Sequence, residues 1–555
     1  MRVQVLSYVY NFWERPAMGP IYYFLRSFCD SAHPDNEIDW CEPIYDWETS
    51  EECIDLINKR KPDILVVTMF VWTEQKMVEL CNKLKLKNNR IKIIGGGPNI
   101  NGKNISSNFE TYPFFDAVIY GDGEEAFYDL YKRFKSSKEI SAGLNCATRD
   151  DNGYYQRFKY ENYKPYKIYT HETVKNQLRK DFKKINKNQT KIQLVYETDR
   201  GCPYSCSYCD WSAGLHHKVS IRNTDMILQE INDLKKYEDI GIIQMINANF
   251  GLIKHDEQLM RYMVKEGIPV RITNWSKTKK DRVFSMIKLN IQHGHDNLGE
   301  KVKFDKSENI IQKVAVQSIF KDTLNAINRP DIDWSEYKKL IKDIVNNYDT
   351  YVVIELISDL PLMTVEKHLE QILEMSELKV PEIKYYPFIL LANSPANNKE
   401  WLDKWGYKIK KVHSVINPVN SFEDQEEVIK NTYMEDYVFY TNVKEKIFIE
   451  LLYGYYNNVK GDLTNLDKYL DFFYKLSITA EIQMQKMYKK TGKNIWGMYL
   501  ENKWMPFEFA VNHIIHKFDM RLTKSSKIDF EVKNEIINLL SSKLKSQHSP
   551  RTPAC

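Results

Sequence analysis

Short apolar runs alternate with amphipathic stretches over the first 140 residues, and two of the runs end in glycine-rich turns. The run "PDILVVTMF" (62–70) is continuous and β-branched, which favours a parallel strand that is buried on both faces. The next stretch carries apolar side chains three or four positions apart, which predicts a helix that begins near Thr73. The runs "IKIIGGGP" (91–98) and "DAVIYGDGEEAF" (116–127) repeat this order. Residues 1–140 are therefore predicted to form an open, doubly wound (Rossmann-like) α/β domain.

The alternation lapses after this part of the chain and then resumes. Residues 141–190 are rich in Lys, Asn and Tyr without a sustained period, and we predict a linker with some local structure. Between residues 191 and 395, six runs have the character of strands: 191–201, 240–251, 268–275, 313–320, 351–361 and 382–395. Six such units predict a partial TIM-type (β/α)6 barrel, with chemistry at the carboxyl ends of its strands. Residues 396–545 are predicted to be mostly helical, and residues 546–555 to form a disordered tail.

Composition indicates a multidomain globular protein. A chain of 555 residues exceeds one ordinary core, and 43% hydrophobic with 28% charged residues excludes a disordered chain. The formal net charge of +4 is close to balanced, so the composition shows no electrostatic footprint for a nucleic-acid partner. No apolar run approaches the length of a membrane span, about 20 residues. The start, "MRVQVLSYVYNFWERP", has the pattern of a strand and a polar loop instead of a signal peptide. Nine cysteines in such a chain favour free thiols, so we predict a cytoplasmic protein.

Three of the nine cysteines crowd into "ETDRGCPYSCSYCDW" (197–211), directly after a predicted strand: Cys202, Cys206 and Cys209. Three thiolates on one loop leave one iron of a [4Fe–4S] cluster without a protein ligand, and such an open iron can bind a substrate or cofactor. Zinc is the first competing interpretation, because His216 or His217 could supply a fourth ligand. Three packed free cysteines are the other alternative, and we favour it least.

The loop "GCPYSCSYCDW" (201–211) resembles the signature of the radical S-adenosylmethionine (SAM) enzymes, including the aromatic Tyr208 before the third cysteine. The resemblance implies that the three cysteines hold a [4Fe–4S] cluster whose fourth iron chelates the amino and carboxylate groups of SAM. One electron from the cluster then cleaves SAM to methionine and a 5′-deoxyadenosyl radical, which abstracts hydrogen from the substrate.

Three further stretches resemble this family in chain order. "INANFG" (246–251) is similar to the loop after the second barrel strand, and "VAVQSIFKDTLNAINRP" (314–330) to a strand with "QS" and a helix that ends in Arg. "LISDLPLMT" (356–364) stands where a "GLPGET"-like turn is usual, but Leu362 and Met363 replace its Gly and Glu. The resemblance implies SAM contacts from six residues: Tyr208, Asn247, Asn249, Phe250, Gln317 and Ser318.

The strand and glycine runs of the first 140 residues are similar to the cobalamin-binding domain that precedes the barrel in many radical SAM enzymes. No G-x-G-x-x-G follows a strand, which disfavours NAD. The D-x-H-x-x-G motif of many cobalamin domains is absent, and His33 stands in an unrelated setting, so a corrin would lack a histidine lower ligand. The resemblance implies cobalamin contacts from Phe70, Trp72, Thr73, Gly95, Gly96, Gly97, Pro98, Tyr120, Gly121, Asp122, Gly123 and Glu124.

Other cysteines and histidines have simpler interpretations. Methylthiotransferases also resemble the family and carry a second cluster on N-terminal cysteines, but the wide spacing here favours dispersed packing for Cys29, Cys41, Cys53 and Cys81. His513 and His516 are three residues apart, which suits a helix face at least as well as a metal. No residue is assigned as a catalytic acid or base.

The predicted function is that of a cobalamin-dependent radical SAM methyltransferase that acts on a carbon centre. One SAM would methylate cobalamin, and another would yield the radical. The alternatives are a ring rearrangement or cyclisation with the same cofactors, and a non-catalytic iron–sulfur or corrin-binding sensor. We expect a small-molecule or peptide substrate that contacts residues 396–545, and a flavodoxin or ferredoxin as electron donor. Neither a membrane nor a nucleic-acid partner is expected.

Overall fold

The computed structural model describes residues 1–149, 166–185, 191–211, 219–293, 312–347, 352–413, 430–434 and 443–477, with gaps of one to four residues inside these ranges. Five residues singled out in the sequence lie outside the described part: Trp72, His216, His217, His513 and His516. The same holds for the predicted tail, 546–555.

Strands and helices alternate through most of the described chain. The strands are β1 (Arg2–Val5), β2 (Val9–Phe12), β3 (Arg15–Met18), β4 (Asp39–Trp40), β5 (Ile64–Thr68), β6 (Lys92–Gly96), β7 (Ala117–Ile119), β8 (Cys146–Thr148), β9 (Ile192–Tyr196), β10 (Asp199–Arg200), β11 (Ser220–Ile221), β12 (Ile240–Met245), β13 (Val270–Ile272), β14 (Gln312–Gln317), β15 (Val352–Ile357), β16 (Glu382–Tyr386), β17 (Ile409–His413) and β18 (Lys430–Met434). The helices are α1 (Ile21–Ala32), α2 (Ser50–Arg60), α3 (Glu74–Lys87), α4 (Ser107–Thr111), α5 (Gly123–Ser137), α6 (Glu172–Ile185), α7 (Thr224–Leu234), α8 (Lys254–Lys265), α9 (Lys280–His293), α10 (Lys321–Ala326), α11 (Trp334–Asn347), α12 (Val365–Glu377), α13 (Lys399–Trp405) and α14 (Val443–Asn458).

The first sheet has six strands in the order β4-β1-β5-β6-β7-β8. All neighbours are parallel except β8, which is antiparallel to β7. Successive residues of β5 alternate between two hydrophobic cores: Ile64 and Val66 in one, Leu65 and Val67 in the other. This alternation explains the continuous apolar run, since both faces of the strand are covered.

The carboxyl ends of β5, β6 and β7 lie side by side in this sheet. Val66 pairs with Ile94, and Ile94 pairs with Ala117. The two glycine-rich turns, 95–98 and 120–123, consequently follow adjacent strands at one edge. That edge is where open α/β sheets collect ligands.

The six strands predicted between residues 191 and 395 are all present, and they form two parallel groups of three. The first group is β9, β12 and β13, and the second is β14, β15 and β16. Helices follow these strands in sequence, as in a (β/α) unit. Within the described residues, no ladder joins β13 to β14.

An antiparallel hairpin at the start of the chain extends the first of these groups. The strands β2 and β3 pair with each other, and β3 pairs in parallel with β9 through Ala17–Gln193 and Met18–Leu194. The sequence had predicted a polar loop here, which is wrong. A lone hairpin is marginal in water, so its stability comes from the neighbouring sheet, which local sequence does not reveal.

Two other segments contain elements that the sequence pattern did not single out. The predicted linker contains α6, whose buried Val174, Leu178 and Phe182 are four residues apart, a helical spacing hidden among Lys and Asn. The predicted helical region contains the antiparallel hairpin β17–β18 beside the helices α13 and α14. Its first strand, "IKKVH", is short and half polar, and pairing across the hairpin decides its structure. None of the helices in the described part combines the length and apolarity of a membrane span.

Candidate active site

The three cysteines lie on the loop that follows β9 and the short strand β10. Cys202 and Cys206 are buried and Cys209 is half-buried. Asn249 Nδ2 donates to Cys202 Sγ at 2.9 Å, and the backbone N–H of Trp211 donates to Cys209 Sγ at 3.5 Å. Burial raises the pKa of the Cys209 thiol to about 12, so a metal bound by its thiolate displaces a proton.

The cysteine loop is held by the element that follows β14. The Ser207 N–H donates to Ile327 O at 2.9 Å, and the Arg329 guanidinium donates to the Tyr208 hydroxyl. The guanidinium also approaches Ala315 O at 3.4 Å. Because Asn249 follows β12 and Arg329 follows α10, the loop joins both groups of parallel strands at their carboxyl ends.

Among the described residues, no three His, Cys, Asp or Glu side chains converge as the ligands of a single metal ion would. This applies to the three cysteines as well. The sulfurs of Cys202 and Cys209 instead accept from two different donors, Asn249 and Trp211.

Asn247 leads the candidate SAM residues because its side chain is buried and only half satisfied. Its Nδ2 donates to Thr198 Oγ1 at 2.5 Å and to the Asp199 carboxylate. Its Oδ1 has no hydrogen-bond partner among the described residues. Since a buried acceptor without a donor is costly, this oxygen marks a place for a donor on a ligand.

The candidate residues at the end of β14 are in an unusual backbone conformation. Gln317 has φ 69°, and the pairing with β15 shifts register between Ala315 and Gln317. A non-glycine residue in the left-handed region at a strand end is typical of functional sites. The neighbouring Ser318 hydroxyl accepts from the Phe320 N–H at 3.2 Å and lies 3.5 Å from Met363 Sδ.

Phe250 is the candidate whose side chain belongs to the core. Its ring is fully buried and packs edge-on against Trp275, with centroids 5.9 Å apart. Gly251 follows with φ 97°, and a Cβ there would lie 2.5 Å from Met286 Cε. The positive φ is the reason that this turn favours glycine.

Two of the candidate corrin glycines are required by the protein's own packing. A Cβ on Gly95 would lie 2.4 Å from the Phe115 ring, and one on Gly97 would lie 2.8 Å from Met69 O. By contrast, a Cβ on Gly123 would meet no atom within 4 Å. Open space for a ligand is left at Gly123, while Gly95 and Gly97 shape the edge of the sheet.

Phe70 and Thr73 form the turn between β5 and α3. Thr73 is the residue before the helix, as predicted, but its side chain makes no capping bond. The hydroxyl instead donates to Thr68 O at 3.2 Å and accepts from the Phe70 N–H at 3.1 Å. Tyr120, at the end of β7, is buried, with its N–H bonded to Asn145 O.

Asp122 and Glu124 turn towards the cysteine loop. Arg200, two residues before Cys202, donates to Asp122 Oδ1 at 3.0 Å and to the two Glu124 oxygens at 2.6 and 2.8 Å. Glu197 accepts from the same guanidinium at 2.8 Å. The four side chains are between 7% and 14% exposed, so these two candidate corrin contacts are engaged in a buried ion cluster.

Sequence reasoning missed the two arginines. Arg200 stands directly before the glycine of the cysteine loop, and Arg329 follows α10 in the stretch quoted for its resemblance. Each position was visible in the sequence. The partners were not, since Arg200 meets a segment 76 to 78 residues away and Arg329 a residue 121 positions away.

Cys29, Cys53, Cys81 and His33 lie in packed surroundings. Cys53 and Cys81 belong to one hydrophobic core and Cys29 to the other. His33 stacks on Tyr128 with ring centroids 3.6 Å apart. Burial raises the pKa of the Cys29 thiol, which keeps it protonated.

Comparison with known proteins places these features in context. No family model matches the chain. The cobalamin-dependent radical SAM methyltransferase TokK of Streptomyces tokunonensis is 25% identical over 414 residues, which are 71% of this chain and 56% of that protein. A 2-(S-pantetheinyl)-carbapenam-3-carboxylate methyltransferase of Streptantibioticus cattleyicolor is 24% identical over 406 residues, 70% of this chain and 56% of that protein. The chain thus spans just over half the length of these curated relatives.

Solved structures share the fold. The cobalamin-dependent SAM radical enzyme OxsB, solved with aqua-cobalamin and SAM, matches with a TM-score of 0.58 and 10% identity, covering 99% of this chain and 84% of that one. The radical SAM methyltransferase TsrM of Kitasatospora setae, solved with cobalamin and a [4Fe–4S] cluster, matches with a TM-score of 0.55 and 13% identity, covering 78% and 84%. The cysteine loop, the curated relatives and the shared fold thus make the chain similar to radical SAM enzymes that carry a cobalamin-binding domain.

Proposed function

We propose that the protein is a cobalamin-dependent radical SAM methyltransferase that transfers a methyl group to a carbon centre of a small-molecule or peptide substrate. The observation that carries this proposal is a contact between the carboxyl ends of two sets of parallel strands, those of the first sheet and those that lead into the cysteine loop. The turn after β7 in the first sheet reaches the loop of three cysteines through the ion cluster around Arg200. The methyltransferase names of two curated relatives support the type of reaction.

In this proposal residues 1–140 form the cobalamin-binding domain and residues 191–395 the radical SAM barrel. Residues 141–190 connect them, and residues 396–545 supply substrate contacts. When bound, the cluster with SAM supplies a carbon radical and the corrin supplies the methyl group. Two reactive centres that face each other exclude water from the chemistry more easily than centres on separate surfaces.

Cys202, Cys206 and Cys209 would hold the [4Fe–4S] cluster. Their thiols suit iron, and a cubane cluster takes each cysteine on a different iron, so the three need not converge on one point. The Asn249 amide and the Trp211 N–H would donate to the ligating sulfurs, which stabilises thiolate charge.

SAM would lie where the strands β9, β12 and β14 end. Asn247 Oδ1 is the buried acceptor that a donor on SAM would satisfy. Gln317, with its left-handed backbone, lies at the end of β14 next to the buried Ser318. Arg329 would keep Tyr208 in place beside the cluster.

The corrin would lie along the edge formed by Phe70, the turn 95–98 and the turn 120–123. Gly123 leaves room at this edge. His33, the only histidine among the first 150 residues, is stacked on Tyr128. The lower face of the corrin would therefore have no histidine ligand from this domain.

The first test is anaerobic reconstitution with iron, sulfide and hydroxocobalamin, followed by desalting and counting of metal and corrin. We expect one cluster and one corrin per chain. Cys202→Ala should lose iron while keeping corrin, and Cys41→Ala, at a half-buried cysteine outside the loop, should lose neither. A cluster without corrin removes the methyl donor, and zinc in place of iron overturns the radical reaction.

Product analysis then separates methyl transfer from its alternatives. Methyl transfer forms S-adenosylhomocysteine and 5′-deoxyadenosine together, whereas a rearrangement or cyclisation forms 5′-deoxyadenosine alone. A sensor would form neither after reduction. 5′-Deoxyadenosine released without S-adenosylhomocysteine in the presence of substrate would contradict the proposed methyl transfer.

A further inference from the structure

A short segment after β16 contacts both the cysteine loop and the first domain. This clasp segment is "LANSPAN", residues 391–397. On the cysteine-loop side, the Asn393 N–H donates to Asp210 Oδ1 at 3.0 Å, and the Ala396 N–H donates to Ser207 O at 2.8 Å. Both acceptors lie within two residues of a cluster cysteine.

The same asparagine holds the first domain through its side chain. Asn393 Nδ2 donates to Pro98 O at 3.0 Å and to Ile100 O at 2.8 Å, while its Oδ1 accepts from the Gly102 N–H at 2.8 Å. The side chain is 4% exposed. Lys103 adds a bond from its Nζ to a backbone oxygen of the clasp segment at 2.7 Å.

The chemistry of this contact requires a carboxamide. Two backbone carbonyls need donors and one backbone N–H needs an acceptor, and an Asn side chain supplies both kinds from one short group. Asp would accept but not donate, and an apolar residue would do neither. Because the group is buried, no water replaces the lost partners without a change of structure.

From these contacts we propose that Asn393 is a positioning residue that fixes the glycine-rich loop 95–102 against the three-cysteine loop. It thereby sets the approach of the corrin to cluster-bound SAM. This inference rests on the proposed function for its consequence, but the contact itself exists in the protein without cofactors. The orientation of the two loops is then built in before either cofactor binds, which is a form of preorganisation.

The consequence is a separation of two activities. Cleavage of SAM needs only the barrel, so it should survive when the loop is released. Methyl transfer needs the corrin at a fixed place, and a misplacement of about 1 Å can cost on the order of 100-fold in rate. Loss of Asn393 should therefore uncouple the two.

The test compares Asn393→Ala with Asn397→Ala. Asn397 belongs to the same segment but is exposed, and among the described residues its Nδ2 donates to Leu391 O and Ala392 O within that segment. Hydrogen exchange is measured first, on the chain without metal or corrin. We expect exchange of the amides at 99–103 to accelerate about tenfold in the Asn393 variant, in line with the loss of buried hydrogen bonds, and to stay unchanged in the control.

Reconstituted enzyme provides the second measurement. The Asn393 variant should keep its iron and its substrate-free formation of 5′-deoxyadenosine, while methyl transfer per 5′-deoxyadenosine falls about tenfold or more. Pulsed EPR between cob(II)alamin and the reduced cluster should show a broader distance distribution than wild type. A purely structural defect would lower both activities together and leave the distance distribution narrow.

Variants that keep size or remove a weaker contact complete the test. Asn393→Asp keeps the volume but loses both donors, so it should behave like the alanine variant. If Asn393→Ala does not fold, Lys103→Met removes one bond to the clasp segment and should still accelerate exchange at 99–103. Unchanged exchange in the folded variants overturns the inference, whatever the activity. Accelerated exchange in the Asn393 variant, together with a wild type that binds no corrin on reconstitution, supports the clasp and refutes the proposed function.

Discussion

At the scale of single residues, the turn after β15 departs from its family pattern at a strained position. Leu362 has φ 66° where the resemblance places glycine. A left-handed backbone costs a residue with a Cβ about 1 kcal/mol relative to glycine. Because the Leu362 side chain is only half-buried, its packing offsets little of this cost.

Leu362→Gly should therefore leave the free energy of unfolding unchanged or raise it by up to about 1 kcal/mol. Urea unfolding of the cofactor-free chain measures it. Leu86→Gly is the matched control, because Leu86 is 88% exposed on α3 and glycine there should cost about 1 kcal/mol. Equal losses in both variants would show that the conformation at Leu362 is not strained.

The sequence was most informative about residues whose chemistry is local. The close spacing of three cysteines in one loop is visible in the sequence. Asn393 and Arg200, by contrast, have no distinguishing sequence pattern, and their roles follow only from their partners in the structure. Leu362 is intermediate: its mismatch with the family was visible, but the positive φ behind it was not.

At the scale of elements, α6 docks on α1 through a buried carboxylate. Asp181 Oδ2 accepts from the Tyr23 hydroxyl at 2.5 Å and from the Tyr45 hydroxyl at 2.7 Å, and Oδ1 accepts from Gln177 at 2.7 Å. Burial raises the pKa of Asp181 above its usual 3.8, although these donors oppose the shift. The folded protein therefore binds this proton more tightly than the unfolded chain.

The free energy of unfolding should for this reason fall as the pH rises from 3.8 through the raised pKa of Asp181. Asp181→Asn can keep the two tyrosine donors, and it should remove this part of the slope. Thermal unfolding between pH 4 and 8 compares the variants, with Asp403→Asn at an exposed position as control. Parallel profiles for wild type and Asp181→Asn would contradict the assignment.

Elements were predicted well where their period was clean and poorly where pairing decided the outcome. The continuous apolar run at β5 predicted a strand correctly, because both faces of that strand are covered. The hairpins β2–β3 and β17–β18 depend on neighbours that sequence patterns do not specify. In α6, a correct four-residue spacing was obscured by lysines.

At the scale of the whole molecule, the ion cluster around Arg200 ties the turn after β7 of the first sheet to β10, which leads into the cysteine loop. Arg200→Met would leave Asp122, Glu124 and Glu197 buried without their cation. We expect a loss of about 3 kcal/mol or more in the free energy of unfolding, since breaking a buried ion pair strands a charge. Urea unfolding should also change from one transition to two, as the two parts separate.

The control for this variant is Arg261→Met. Arg261 is 56% exposed and pairs with Glu257 on its own helix, so its loss should cost less than about 1 kcal/mol. Glu124→Gln in the Arg200→Met background should restore part of the stability, because it removes one stranded charge. If Arg200→Met and Arg261→Met lower the free energy of unfolding equally, the ion cluster does not join the two parts.

The hairpin β2–β3 has a consequence for how the chain can be divided. Residues 9–18 complete the sheet of β9, yet the chain then returns to the first sheet at β4 and β5. The two parts are therefore interleaved along the chain and are not two consecutive segments. A fragment that begins at residue 191 would expose the bare edge of β9 and invite aggregation, so it needs residues 9–18 grafted onto its own start.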